Sequence, residues 1–373
     1  MRLFLLSFTA AFLGTLLIVG SARLHGRFSG DHDRSGPQKF HARAVPRIGG
    51  LGIMCGVMVG MVYSLFMPGS ETETKLALIA AGVIAFGAGL IEDFTKQVTP
   101  RQRLLAVTLA ATVALWLAGA EITRTDIVGI DPLLQIAGVS VIITLFAVAG
   151  VANSINIIDG FNGLASMCMA IMLGAMAYVA WQVGDQMIFR LALIGLGAVL
   201  GFFVLNYPFG LVFLGDGGAY FMGFWVAEIG ILLVSRNPDV SPMFPLLLCI
   251  YPIFETVFTM YRRKVVRGRP VGQPDASHLH SLIYRRLMRW AVGKRDTATM
   301  LRRNSMTSPY LWGLCSLAAV PAVLWWDDSA LLQMSLLVFC GTYLALYRAI
   351  VHFRTPKVLV QHRAPLAVAE SAR

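Results

Sequence analysis

Four carboxylates and two imidazoles carry most of the chemistry open to this chain. Glu92 and Asp93 are adjacent in "IEDFTK". Asp159 belongs to "NSINIIDGFNGLAS", where Asn153, Asn156, Asp159 and Asn162 recur every third residue, and Asp216 stands in the glycine turn "FLGDGGAY". Carboxylates drawn from separate segments suit Mg2+, which keeps several waters and binds through one or two carboxylates plus substrate phosphates. Mn2+ shares that preference for oxygen donors. A softer metal would want Cys and His at ligand spacing, but the five cysteines are scattered through apolar stretches. His278 and His280, followed by Arg285 and Arg286, are donors matched to phosphate oxygens, as is Arg47 in "VPRIGG". Together these groups point to phosphoryl chemistry. The chain has no GxxxxGK[ST] loop, which argues against ATP-driven pumping by that device.

Simpler readings stand beside these. Lys96 either neutralises phosphate or pairs with Asp93, and Arg285 either meets phosphate or faces anionic lipid from a basic loop. Glu255, in "YPIFETVFTMYRRK", reads as an ion-pair partner of Arg262 or Arg263, and Glu228 as an interhelical hydrogen-bonding group.

The elements that must position these residues are set by composition. The 373 residues are 57% hydrophobic and 14% charged, with a mean hydropathy of +0.68. Apolar windows about 17–25 residues long recur along the chain, which is the pattern of membrane-spanning helices. The fold class read from this is an all-α polytopic bundle with eleven spans: 2–20, 48–67, 76–91, 103–119, 133–152, 164–182, 187–205, 217–235, 241–260, 309–326 and 330–350. The first is read as a retained helix rather than a cleaved signal, because its apolar run is long and six basic residues follow it. Residues 1–350 are expected to form one transmembrane catalytic domain. Within it, 261–308 is a basic loop carrying the histidines, and 351–373 is expected to be a disordered tail.

Alternation of the spans puts 26 of the 31 Lys and Arg on one face and 5 on the other. That split assigns the odd-numbered links and the C-terminus to the cytoplasm and the N-terminus to the periplasm. It also accounts for the +11 net charge without nucleic acid. All four polar clusters fall on the cytoplasmic side. On a helix the beat of three turns back by about 60° per step. The four polar groups therefore sweep too broad an arc for one stripe, and they suit a helix end turning toward a cleft, with Gly160 and Gly163 permitting a break.

The motifs "HARAVPRIGG", "IEDFTK", "NSINIIDGFNGLA", "LNYPFGLVFLGDGGAYFMG", "FETVFTMYRR" and "PDASHLHSLIYRR" occur in this order between about residues 39 and 286. In this the chain resembles the polyprenyl-phosphate N-acetylhexosamine-1-phosphate transferases, glycosyl transferase family 4. The resemblance implies transfer of a sugar-1-phosphate from a UDP-N-acetylhexosamine to undecaprenyl phosphate in the bacterial inner membrane, with release of UMP. It implies Asp216 as the Mg2+ ligand with Asp159 beside it, and Glu92 and Asp93 as the acidic pair near the lipid phosphate. Asn153, Asn156 and Asp159 would shape the nucleotide and metal pocket with Asn206 nearby, and His278 and His280 would contact the diphosphate. Lys96 matches a lysine of the pentapeptide branch.

Three positions depart from the family pattern: Glu92 replaces an aspartate, Asn162 replaces the second aspartate of "DGxDG", and Ser281 stands where a further histidine is common. The missing "HHH" run favours the branch that starts O-antigen, capsule or other envelope glycans over the phospho-MurNAc-pentapeptide transferase. The lipid phosphate, largely dianionic at neutral pH, either attacks directly or is preceded by a carboxylate nucleophile. A transporter is the non-enzymatic alternative, although its charges would be expected near the midplane rather than at one boundary. A homodimer is left open.

Overall fold

Lipid offers no hydrogen-bond partners, so each apolar stretch closes its backbone bonds within itself as a helix. The computed structural model describes residues 1–30, 45–69, 71–136, 138–268, 277–288 and 297–352. The first part of "HARAVPRIGG", residues 274–276 and the tail from 353 lie outside the described residues. The helices are α1 Arg2–Gly20, α2 Ala22–Ser29, α3 Gly50–Leu65, α4 Thr72–Thr95, α5 Pro100–Ala118, the single turn α6 Asp131–Leu134, α7 Val139–Ile158 and α8 Leu164–Gln182. They continue with α9 Gln186–Asn206, α10 Gly215–Arg236, α11 Met243–Leu248, α12 Ile250–Tyr261, the short α13 Leu279–Leu282, α14 Thr297–Leu324 and α15 Ser329–Val351. Wider π-helical turns extend α12 over Arg262–Val266 and α13 over Ile283–Met288.

Among the described residues nine helices are long and apolar enough to cross a membrane, two fewer than the eleven expected spans. All eleven stretches are helical, and the two shortfalls have local causes. The 48–67 stretch is the 16-residue α3. It starts late because the amides of Gly49 and Gly50 bond to the carbonyls of Phe213 and Leu214. The 241–260 stretch breaks at Cys249 into α11 and α12. The break leaves Pro245 and Pro252 each in a first turn, where a missing N–H costs no helical bond.

The bundle is built around α10. Within its apolar window 94% of residues are buried in the protein, against 17% for α15, which faces lipid. α10 packs against α4 and α7 most extensively, and also against α3, α5, α8, α9 and α11. Close approach in lipid depends on small residues, and glycines mark the crossings. A Cβ on Gly223 would lie 2.5 Å from Ala152 Cα of α7, and one on Gly89 of α4 would lie 2.6 Å from Gly217 Cα. The Gly89 crossing brings the end of α4 against the start of α10, where Asp93 and Asp216 sit.

At the opposite face Arg236 pairs through both terminal nitrogens with Glu71, at 2.7 Å each, and through Nε with Asp185 at 2.8 Å. Lys75 donates to Ser64 O at the end of α3, at 2.9 Å. These contacts tie the starts of α4 and α9 to the end of α10.

Gly87 and Gly89 share one helix but differ in surroundings: a Cβ at Gly87 meets nothing within 4 Å. Gly87→Ala is expected to leave the apparent unfolding midpoint unchanged or raised, since Ala is the better helix former by about 1 kcal/mol. Gly89→Ala is expected to lower stability by about 1–3 kcal/mol through backbone overlap. Thermal unfolding of the purified protein in detergent checks the pair.

Candidate active site

The site is organised by the N-terminus of α10. The first N–H groups of a helix have no partners within it, and the residue preceding α10, Leu214, has no side chain that can cap it. The cap comes from another helix. Asp93, in the last turn of α4 and 2% exposed, accepts from Asp216 N at 2.8 Å through Oδ1 and from Gly217 N at 2.9 Å through Oδ2. Gly215 has a φ of +77°, and a Cβ there would lie 1.8 Å from Arg47 O and 2.6 Å from Asp93 Oδ2. Only glycine fits this conformation and this space. Phe213 N donates to Pro46 O at 2.8 Å, which lays "VPRIGG" alongside "VFLG" and brings Arg47 to the cluster.

Asp216 then faces outward from this frame. Its Oδ1 accepts from Asn156 Nδ2 at 2.7 Å. Its Oδ2 pairs with Arg103, and Arg47 Nη2 stands 4.0 Å away. Arg103 lies in the first turn of α5, which begins with a reciprocal Thr99–Gln102 capping box and Pro100. Its guanidinium sits over the Tyr220 ring, 5.4 Å from the centroid, and Tyr220 OH donates to Asn153 Oδ1 at 3.3 Å. Asn153 and Asn156 thus reach one cluster through α7. Asp159 follows the last residue of that helix and is half-buried. Burial pushes its carboxyl up to about 7, and the Asp216 carboxylate adds repulsion that Arg47 partly offsets.

The α7–α8 turn is braced from both sides. Asn206, at the end of α9, accepts from Gly163 N at 2.6 Å and donates to Val212 O at 2.7 Å. Asn162 is held by α14: its N–H donates to Asn304 Oδ1 at 2.9 Å, and its carbonyl accepts from Ser308 Oγ at 2.6 Å. Trp312 Nε1 donates to Gly163 O at 3.0 Å. Asn206 and the side chain of Asn162, whose Nδ2 donates to Pro208 O at 3.3 Å, therefore contact the chain's own backbone. They shape the turn that presents Asp159 and Gly160.

The histidine segment closes over that turn. A Cβ on Gly160 would lie 3.4 Å from His280 Nε2, and the Phe161 and His280 rings meet edge-on at 5.4 Å. The His278 and His280 rings stack at 5.1 Å with a 17° interplanar angle. The expectation for Glu255 is corrected here. Instead of pairing with Arg262 or Arg263, it accepts from His278 Nδ1 and Leu279 N, each at 3.1 Å, and from Tyr343 OH at 2.8 Å. Arg262 turns away to Ser277 O and Tyr347 OH.

The structure therefore gathers Asp93, Asp216, Asn153, Asn156, Asp159, Arg47, His278 and His280. It leaves three expected residues at the margin. Glu92 folds back to accept from Val98 N at 2.6 Å, Lys96 is an exposed left-handed cap of α4, and Arg285 is exposed on the π-helical turn. Sequence reasoning missed Arg103, Tyr220 and Tyr343. For Arg103 the available signal was the "TPRQR" capping pattern, which places a cation in the first turn of a helix on the clustered face. Asp159 and Asp216 form an all-oxygen donor pair that fits Mg2+ held by one or two carboxylates plus phosphates. Among the described residues there is no set of three His, Cys, Asp or Glu that would cage a metal without substrate.

An apolar groove of about 790 Å3 opens beside the cluster, between α5, α7, α10, α11 and α12. Asn153 and Leu104 line its near end and Arg124 its far end, while Phe146 and Val257 on its walls are exposed to the bilayer side.

The model of glycosyl transferase family 4 matches residues 75–234, which hold the acidic motifs and all but the last two residues of α10. The chain is 27% identical to a probable undecaprenyl-phosphate N-acetylglucosaminyl 1-phosphate transferase of Bacillus subtilis, over 79% of this chain and 80% of the relative. It is 27% identical to the undecaprenyl-phosphate alpha-N-acetylglucosaminyl 1-phosphate transferase of Yersinia pestis, over 68% and 69%. It is 26% identical to the protein of that name from Thermotoga maritima, over 69% and 74%.

Asn206→Ala leaves Gly163 N–H and Val212 C=O buried and unpaired, and is expected to cost about 2–5 kcal/mol. Asn156→Ala, at the half-open Asp216, is expected to cost less than about 1 kcal/mol. For Asp159, a folded-state pKa above the unfolded value means that its contribution to stability is full below about pH 4 and is lost as pH rises toward 7. The stability of Asp159→Asn relative to wild type is therefore expected to increase between pH 4.5 and 7.5. Unfolding midpoints of both proteins across that range check the sign.

Proposed function

We propose that this chain, which belongs to glycosyl transferase family 4, transfers N-acetylhexosamine-1-phosphate from a UDP-sugar to undecaprenyl phosphate and releases UMP. GlcNAc-1-phosphate is the favoured group, and the product begins O-antigen, capsule or another envelope glycan. The observation that carries this reading is the meeting of Asp216, Asp159, Arg47 and the stacked histidines around one turn, beside an apolar groove whose near end Asn153 lines. A soluble diphosphate needs the first feature and a polyprenyl chain the second. The basic-side bias supports a position for this site at the cytoplasmic boundary of the inner membrane.

The roles follow from position. Asp159 and Asp216 would hold Mg2+, which supplies charge neutralisation to the diphosphate. His280, beside Gly160, is placed to donate to the same diphosphate, while Asn153 and Asn156 fix the neighbouring wall. Arg47 and Arg103 stand against Asp216 and can receive the lipid phosphate. An oxygen of that phosphate attacks the sugar-bearing phosphorus, the bond to the UMP oxygen breaks, and UMP leaves. The attacking dianion needs no strong base. Engagement of both Asp93 oxygens by the amides of α10 supports direct attack, because using Asp93 as nucleophile would uncap that helix.

The purified protein is expected to release UMP when given Mg2+, undecaprenyl phosphate and UDP-N-acetylglucosamine or a related UDP-N-acetylhexosamine. Asp216→Asn is expected to abolish release while retaining a folded elution profile. Absence of UMP with every sugar in folded wild-type protein would refute the assignment. A phosphorylated aspartate found by mass spectrometry would refute direct attack.

A further inference from the structure

We infer that Glu255, itself held by Tyr343, is a positioning residue that fixes the tautomer and orientation of His278 for the reaction proposed above. Glu255 and Tyr343 are both fully buried. A carboxylate in such a place is costly unless its oxygens are filled, and here three donors fill them: His278 Nδ1, Leu279 N and Tyr343 OH. An ionised carboxylate only accepts hydrogen bonds, so Nδ1 of His278 carries a hydrogen. The edge turned away from Glu255 is therefore Nε2. Thr259 Oγ1, 3.2 Å from the same Nδ1, adds a second contact on that side of the ring.

The contact to Leu279 N means that one carboxylate sets both the backbone and the ring of the histidine segment. The effect passes onward by stacking. His278 lies 5.1 Å from His280 in near-parallel arrangement, and His280 Nε2 borders Gly160 next to Asp159. Tyr343 belongs to α15, a helix mostly turned toward lipid. Its link to Glu255 gives that peripheral helix a connection to the candidate site. The Tyr343 ring packs edge-on against Phe254 at 5.0 Å and Phe258 at 5.8 Å, so its hydroxyl is held in place by α12, the helix that carries Glu255. A buried brace with no influence on chemistry would make the same static contacts, and the experiment must separate the two.

The test uses the full chain in detergent with four variants: Glu255→Gln, Tyr343→Phe, His278→Asn and the double variant Glu255→Gln/His278→Asn. Two readouts are taken, kcat/KM for UMP release and 15N spectra of the imidazoles, with the His278 signal assigned by its loss in His278→Asn. In the wild type His278 is expected as a single Nδ1-protonated species. Glu255→Gln is expected to shift that signal and to lower kcat/KM about 10–100-fold. The same change made in His278→Asn is expected to cost less than about twofold, because the residue acts through the ring already removed.

Equal losses in both backgrounds, or an unaltered His278 signal in Glu255→Gln, would overturn the inference. Should His278→Asn not fold, the assignment is taken from His278→Gln and Tyr343→Phe decides. A His278 signal displaced in the same direction, with a loss of a few-fold, supports the inference, and an unchanged spectrum refutes it. If the wild type releases no UMP at all, the reaction assigned above fails, and the spectra alone still judge the contact.

Discussion

One carboxylate supplies the constraint on which the site depends. Asp93 ends α4 and caps α10, so the end of one helix is defined by the start of another. A helix N-terminus buried in a protein needs acceptors for its first amides, and the glycines of "GDGG" leave no side chain to provide them. Once Asp93 provides them, the rest is fixed. Gly215 must be glycine, Arg47 is carried in on the segment that bonds to Phe213 and Leu214, and Asp216 points into the cluster rather than back onto its own helix. The Gly89–Gly217 crossing serves the same end, since any Cβ there would push the cap away from the helix it caps.

The same logic recurs twice around the site. Asn206 and Asn304 fill the hydrogen-bonding groups of the α7–α8 turn, and Glu255 fills those of the histidine segment. Each brace reaches in from a helix distant in sequence: α9 and α14 for the turn, α12 and α15 for the histidines. Buried polar groups that are fully satisfied specify one arrangement and resist local repacking. The candidate reacting groups Asp159 and Asp216 sit at the inner edge of these braces, where they remain partly open.

Much of this was legible in the sequence. Hydropathy marked all eleven helical stretches, and the basic bias placed every polar cluster on one side. The break in "NSINIIDGFNGLAS" followed from polar groups sweeping too wide an arc for a stripe. What stayed hidden were partners across the bundle. Nothing in "NGLAS" announces that the main-chain N–H of Asn162 bonds to the Asn304 side chain, more than a hundred residues away, so the clamp that α14 places on this turn is not readable from the motif. Glu255 was misread for the same reason. Arg262 and Arg263 are close in sequence, whereas His278 and Tyr343 become neighbours only after the 261–308 link folds back and α15 packs. Helix length was legible to a few residues except where a segment does two jobs, as at Gly49–Gly50 and Cys249.

The central claim is that the clusters form one nucleotide-sugar and cation site at the start of α10. The most direct measurement is anomalous scattering from crystals of the protein grown with Mn2+ and a UDP-N-acetylhexosamine. A manganese peak against Asp216 and Asp159, with diphosphate density running from it toward His280, is the result this account predicts. A nucleotide bound elsewhere, with no cation peak at those two carboxylates, would contradict it.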